Sequence, residues 1–241
     1  METQYKPTEA IAKKVLETVD QGLVKGLGVQ EPGKMCIEAA VCFAFGLPHD
    51  DKPPCVGETV RDFKIALNDC DWPTVADRTK GMRELSVAQL GSDTVDQKKF
   101  LEKVGFKCVK NILPLILENS LKEDRDNKLF KEKIEVEELE TVIKELKVVK
   151  TYKKAKVVAD KAWKIYSAYA SASAYASASA SASASASASA SAYAYAYASA
   201  YAYAKKNPTF HLQILNLTAQ AGLEALKELK SPGCQWLHLC K

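Results

Sequence analysis

The chain of 241 residues carries a formal net charge of +4, and 27% of its residues are charged whereas 8% are aromatic. This length fits one domain or two small ones, and the nearly balanced charge favours neither nucleic acid nor an anionic membrane as a partner. No apolar run reaches the roughly 18 residues of a membrane-spanning helix, and the seven cysteines are too sparse for a disulfide scaffold, so a cytoplasmic protein is expected.

Residues 1–125 have the pattern of an N-terminal helical domain. Apolar residues at helical spacing predict helices over residues 8–24, 35–45, 59–68 and 74–90. Thr8 is the expected N-cap of the first helix, and Gly46 is expected to end the second. Further along the chain, Gly105 is expected to interrupt the helical pattern and Pro114 to kink it.

Residues 126–166 predict one long charged helix that continues into a low-complexity tract. In the tract, residues 167–204, every even position is Ala and every odd position is Ser or Tyr. This alternation has the period of a strand and would suit silk-like stacking, and its low complexity would also suit disorder. We favour a helix because alanine is the best helix former and the preceding segment already nucleates one. An unbroken helix to residue 204 would exceed ~100 Å, so a break is expected.

Residues 205–241 predict a final helix and an apolar tail. Pro208 marks the boundary with the tract, and leucines recur at helical spacing over residues 209–230. The tail contains Trp236, whose large apolar surface favours folding back onto the core. The sequence therefore predicts an all-α protein with four segments: 1–125, 126–166, 167–204 and 205–241.

Four short blocks give the chain a resemblance to known sequences. They are M-C-I-E-A-A-V-C-F-A-F-G-L-P-H at 35–49, K-I-A-L-N-D at 64–69 with Trp72 after it, A-Q-L-G-S at 88–92, and P-G-C-Q-W-L at 232–237. In this order they resemble a group of bacterial and phage proteins that have no established activity. The likeness covers roughly residues 30–92 and 209–239, and it implies no catalytic residues. The tract departs from that group, whose alanines are interspersed with acids and arginines. A second likeness, to alanine-rich bacterial immunity proteins, is one of composition.

Cys36 is the candidate nucleophile of an enzymatic alternative. It follows Pro32 and Gly33 at a predicted helix start, where a thiol has a lowered pKa. Gln30 lies six residues before it, a spacing that resembles the oxyanion-hole glutamine of papain-like enzymes, and His49 is a possible base. The competing interpretation is a buried cysteine that packs as a small hydrophobe, which we favour.

Other candidate features point to partners rather than to chemistry. Tyr193, Tyr197 and Tyr201 would align along one helix face as a contact stripe, although repeat expansion alone also explains them, and Trp236 is a further candidate contact. No cysteine pair has the spacing of a zinc knuckle, so neither a metal nor another cofactor is expected.

Three functional hypotheses result. The favoured one is a non-enzymatic interaction or accessory protein of phage or mobile-element origin, with an immunity or inhibitor role as one version. It implies a protein partner or self-association, and no nucleic acid or membrane. The alternatives are a hydrolase or transferase that uses Cys36, and a silk-like self-assembling protein built on residues 167–204.

Overall fold

The computed structural model describes residues 5–127, 133–169 and 207–241. These residues form nine α-helices and contain no β-strand, which confirms the all-α prediction. The helices are α1 (Glu9–Val19), α2 (Ile37–Phe45), α3 (Glu58–Asn68), α4 (Val75–Ala88), α5 (Gln97–Lys107), α6 (Leu113–Asn127), α7 (Lys133–Val148), α8 (Tyr152–Tyr169) and α9 (Pro208–Glu228). Short 3-10 helices at Ser92–Thr94 and Pro232–Cys240 and a π-helical turn at Cys108–Ile112 complete the described structure. None of the described helices is long and apolar enough to cross a bilayer.

The chain divides into two compact units. Unit 1 comprises Met1–Phe100 and Thr218–Lys241, and unit 2 comprises Leu101–Leu217. The four segments proposed from composition divide the chain differently and remain a prediction.

In unit 1 the predicted helix boundaries depend on recognisable caps. Thr8 Oγ1 accepts a hydrogen bond from Ile11 N (3.3 Å), which confirms Thr8 as the N-cap of α1. Gly46 adopts a left-handed conformation (φ 71°) at the end of α2, as expected for a glycine C-cap. The first helix is shorter than predicted and ends at Val19, but Leu23 beyond it is still fully buried. Apolar spacing therefore identified the buried residues more accurately than it identified the helix end.

Helix α2 lies in the core of unit 1. Ile37, Ala39, Ala40 and Val41 have no exposed surface, as is usual for a helix that is apolar on nearly all of its faces. It packs against α1, α3 and α4, so apolar side chains are needed on most of its faces.

In unit 2 two expectations about α5 and α6 had different outcomes. The predicted interruption at Gly105 is wrong, because α5 continues through this residue to Lys107. The irregularity predicted at Pro114 is confirmed: a π-helical turn, Cys108–Ile112, immediately precedes α6. Proline cannot donate its backbone nitrogen and crowds the preceding turn of a helix, so a wider turn before it is the physical accommodation.

The single long helix predicted over residues 126–166 is wrong. Helix α7 ends at Val148, and α8 begins at Tyr152 and packs against α7. Thr151 immediately precedes α8, and its carbonyl accepts the first hydrogen bond of the new helix, from Ala155 N (2.9 Å). The break buries Leu139 and Leu146 of α7 together with small residues of α8, namely Ala155, Ala159 and Ala162. Of the low-complexity tract, Ser167, Ala168 and Tyr169 form the end of α8, and the rest lies outside the described residues.

Candidate functional site

A surface pocket of about 500 Å³ lies in unit 1 where three stretches of chain meet. These stretches are the residues before α1, the loop after α4 and the C-terminal 3-10 helix. Its lining consists of Tyr5, Lys6 and Pro7 from the first stretch, Gly91, Asp93 and Thr94 from the second, and Pro232, Gln235 and Trp236 from the third. Two of the sequence blocks quoted above, A-Q-L-G-S and P-G-C-Q-W-L, therefore contribute to one pocket.

The C-terminal wall of the pocket is fastened to α4 at close range. Ser231 Oγ donates to Ala88 O (2.6 Å), and Gly233 N donates to Leu90 O (2.7 Å). A Cβ atom at Gly233 would lie 2.1 Å from Val87 O, so only glycine permits this approach. The predicted folding back of the apolar tail is thus confirmed. The contact that requires glycine at position 233 is one between backbone atoms.

Arg83 fixes the other end of the same wall. Its Nε and Nη2 atoms donate to the Asp20 carboxylate at 2.6 and 2.9 Å, and its Nη1 donates to Cys240 O at 2.8 Å. A bidentate guanidinium–carboxylate pair is geometrically specific. The 3-10 helix is therefore held by hydrogen bonds at both ends.

The middle wall is a tight turn closed by its own side chains. Gly91 has φ 79° and leaves 2.8 Å between its ideal Cβ position and Pro232 Cβ, which again requires glycine. Ser92 Oγ accepts from Gly57 N (3.1 Å), and Thr94 Oγ1 donates to Gly91 O (2.7 Å). These bonds position Asp93 at the pocket edge, where it is exposed.

The two tryptophans with described surroundings differ in how they use the indole nitrogen. Trp72 Nε1 donates to Leu67 O (2.9 Å) in the interior. Trp236 is only 9% exposed and lines the pocket, yet its Nε1 makes no hydrogen bond to a described residue. Buried tryptophans usually find an acceptor. The Trp236 indole nitrogen is therefore a donor without an acceptor among the described residues, on a side chain that lines the pocket.

The charges of the pocket are also uncompensated within the described part of the chain. Lys6 and Asp93 are exposed, and neither forms an ion pair there. Tyr5 is held by an edge-on contact with Phe45, with ring centroids 6.4 Å apart. The pocket thus combines aromatic and proline surfaces with one cation, one anion and one free indole donor.

Cys36 is placed as a structural residue. It is the N-cap of α2, where its Sγ accepts from Ala39 N (3.4 Å), and it is 4% exposed. The lowered pKa expected for this thiol is wrong: burial raises the pKa of Cys36 to about 11. The helix N-terminus does favour a thiolate, but at this site the loss of hydration outweighs it.

The other two residues of the enzymatic hypothesis do not share the environment of Cys36. Gln30 is exposed, in contrast to the buried thiol. His49 is half-buried, and its Nε2 lies 3.1 Å from Gly28 O, while its Nδ1 has no partner among the described residues. Their catalytic roles stay predictions.

A buried ion pair between α2 and α3 has no counterpart in the sequence predictions. Lys64 Nζ lies 2.5 Å from Glu38 Oε1, and both side chains have no exposed surface. Burial raises the pKa of Glu38 and lowers the pKa of Lys64, while the attraction between the two charges opposes both shifts. The second carboxylate oxygen, Glu38 Oε2, has no partner in the described structure. An acidic residue in the first turn of an otherwise apolar helix is the sequence signal that could have identified this position.

The four residues predicted to contact a partner lie in two different parts of the chain. Tyr193, Tyr197 and Tyr201 are outside the described residues. Trp236 is in the pocket. Within the described ranges, no group of three or more His, Cys, Asp and Glu side chains is arranged to hold a metal ion.

Comparisons with protein families, with curated proteins and with solved structures find no match to this chain. The likeness to the bacterial and phage group stays a prediction from sequence.

Proposed function

We propose that this protein is a non-enzymatic interaction protein that holds a protein partner at the pocket around Trp236. The observation that carries the proposal is the pre-formed pocket itself, lined by a nine-tenths buried tryptophan whose indole N–H has no acceptor among the described residues. Tryptophan is enriched at the energetic centres of interfaces, and a wall held at both ends loses little conformational freedom on binding. An immunity or inhibitor role is one version of this function.

The enzymatic alternative has less support. A thiol with a pKa of about 11 is almost entirely protonated at neutral pH, and the thiolate is the nucleophile. The self-assembly alternative depends on residues 167–204, of which 170–204 are not described. Neither alternative has a specific observation in its favour, so the pocket defines the proposal.

The test is affinity capture from the native host with a variant that fills the pocket. Thr94→Arg places a long side chain at an exposed pocket position. Thr141→Arg is the matched control, because Thr141 is also exposed and its hydroxyl likewise donates to a backbone carbonyl, Glu137 O (2.9 Å). We expect the wild type and Thr141→Arg to retain the same stoichiometric partner and Thr94→Arg to lose it, with equal melting temperatures. Equal capture by all three proteins, or no partner for the wild type, would contradict the proposal.

A further inference from the structure

The chemistry of the pocket also indicates what kind of partner segment it accepts. Resting on the proposed function, we propose that the pocket binds an extended peptide in which a proline packs against Trp236 and flanking residues of opposite charge pair with Asp93 and Lys6.

The size and openness of the pocket suit a short extended segment. A volume of about 500 Å³ lies within the range of small-ligand sites, so it accommodates a short segment rather than a folded element. Of the nine lining residues, only Gly91 and Trp236 are buried. The pocket is therefore open along its polar edge, where a chain can enter and leave. An extended peptide meets this requirement, because its flanking residues continue into solvent.

The apolar surface of the pocket consists of rigid rings. Tyr5, Pro7, Pro232 and Trp236 contribute rigid rings to one pocket. Grooves lined with aromatic rings recognise the polyproline II conformation, which is already extended before binding and loses little entropy. A proline has no backbone N–H, so its burial against these rings leaves no donor unsatisfied.

Trp236 Nε1 makes no hydrogen bond to a described residue, whereas Trp72 Nε1 is satisfied by Leu67 O. An extended peptide presents backbone carbonyls that no internal hydrogen bond occupies. One such carbonyl, accepting from the Trp236 indole, would satisfy both groups.

Lys6 and Asp93 come from different walls of the pocket, and neither is paired with a described side chain. A bound segment with one basic and one acidic residue on either side of its proline complements both. Exposed ion pairs contribute little affinity, so the charges set the direction of the peptide and the rings supply most of the binding.

The test uses the full chain labelled with 15N at its tryptophan indoles, because the chain has only three tryptophans. Trp72→Phe and Trp236→Phe assign the two relevant N–H signals. The probes are capped peptides with two prolines between the charged residues, in both orders: Lys-Pro-Pro-Glu and Glu-Pro-Pro-Lys. Two further peptides replace both prolines by alanines or both charges by serines.

We expect one of the two charged proline peptides to shift the Trp236 signal and leave the Trp72 signal unmoved. Replacing the prolines should weaken binding about tenfold, since ring contacts supply most of it. Asp93→Asn should weaken binding of the charged peptide about threefold and leave the serine peptide unaffected. Glu17→Gln, which removes an exposed charge outside the pocket, should change neither.

The inference is overturned if none of the peptides moves the Trp236 signal, or if the alanine and proline peptides bind equally well. The capture experiment separates this failure from failure of the proposed function. If no peptide binds but the partner is lost with Thr94→Arg, the pocket remains the binding site and only the proline segment is rejected. Loss of neither partner nor peptide in Thr94→Arg would reject both.

Discussion

Unit 1 contains two concentrations of polar chemistry whose surroundings are opposite. The Glu38–Lys64 pair is enclosed on every side, and each charge has the other as its partner. The pocket has an exposed cation and anion and an indole donor without a partner among the described residues. Each charge of the interior pair has the other as its partner, whereas Lys6, Asp93 and the Trp236 indole of the pocket have no partner among the described side chains.

Perturbed ionisation alone is a poor guide to a functional site in this protein. The pKa values of Glu38, Lys64 and the buried cysteines Cys36 and Cys42 are all shifted, and burial is the first cause in each. Structural ion pairs and buried thiols produce such shifts without catalysis. Unsatisfied groups at an open surface are the stronger indication of a binding site.

The largest effect is expected from breaking the interior pair. Lys64→Met leaves the Glu38 carboxylate buried without its cation, and we expect a loss of about 3–5 kcal/mol in the free energy of unfolding at pH 7. The double variant Glu38→Gln with Lys64→Met should recover most of this loss, because it removes both charges. Urea denaturation followed by circular dichroism measures both. Equal stabilities of the single and double variants would contradict the account.

The stability of the Lys64→Met variant is expected to depend on pH. Without Lys64, the attraction that lowers the pKa of Glu38 is gone, so its folded pKa stays above the unfolded value of 4.5. The folded state then binds the proton more tightly than the unfolded state, and the variant loses stability as pH rises from 4.5 through the folded pKa. Its deficit relative to the wild type should therefore be smaller at pH 4.5 than at pH 7.

The reactivity of Cys36 tests whether the interior is closed. A pKa of about 11 against an ordinary value of 9.0 lowers the thiolate fraction about 100-fold at neutral pH. We expect alkylation of Cys36 by iodoacetamide to be at least that much slower than alkylation of a free thiol, and to accelerate as pH rises towards 11. Mass spectrometry of the digested protein measures each site, with half-exposed Cys240 as the internal control. Faster reaction than a free thiol at pH 6.5 would revive the enzymatic hypothesis.

The smallest effect compares the two indoles directly. Trp72→Phe removes the donor to Leu67 O and leaves a buried carbonyl with one bond fewer, whereas Trp236→Phe breaks no described hydrogen bond. We expect Trp72→Phe to lower the free energy of unfolding by about 1–2 kcal/mol more than Trp236→Phe does. Thermal and urea unfolding of the two variants give the difference. If Trp236→Phe is the more destabilising, its indole has a structural role and the pocket argument weakens.

Several parts of the fold could be predicted because their causes are local. Thr8 as an N-cap and Gly46 as a left-handed C-cap depend only on neighbouring backbone atoms. The irregular turn before Pro114 follows from the missing proline N–H. The break between α7 and α8 could not be predicted in the same way, because no glycine or proline marks it. There the small side chains of α8 pack against the leucines of α7, and this packing outweighs local helix propensity.

The candidate site divides in the same manner. The apolar tail and Trp236 were predictable from hydrophobicity, but their association with the loop at Asp93 was not. Residues 91 and 236 are brought together by the bond between Gly233 N and Leu90 O and by the Arg83 clamp. No local pattern encodes such a contact between distant residues.

The amino-acid sequence by itself determined the helical class, most helix starts and the residues that must be buried, because periodicity and capping act over a few residues. Tertiary structure alone decided that Cys36 is a buried cap with a raised pKa, that Glu38 meets Lys64 in the interior, and that Trp236 lines a pocket. Each of these depends on burial and on partners far apart in the chain, and both arise only when the helices pack.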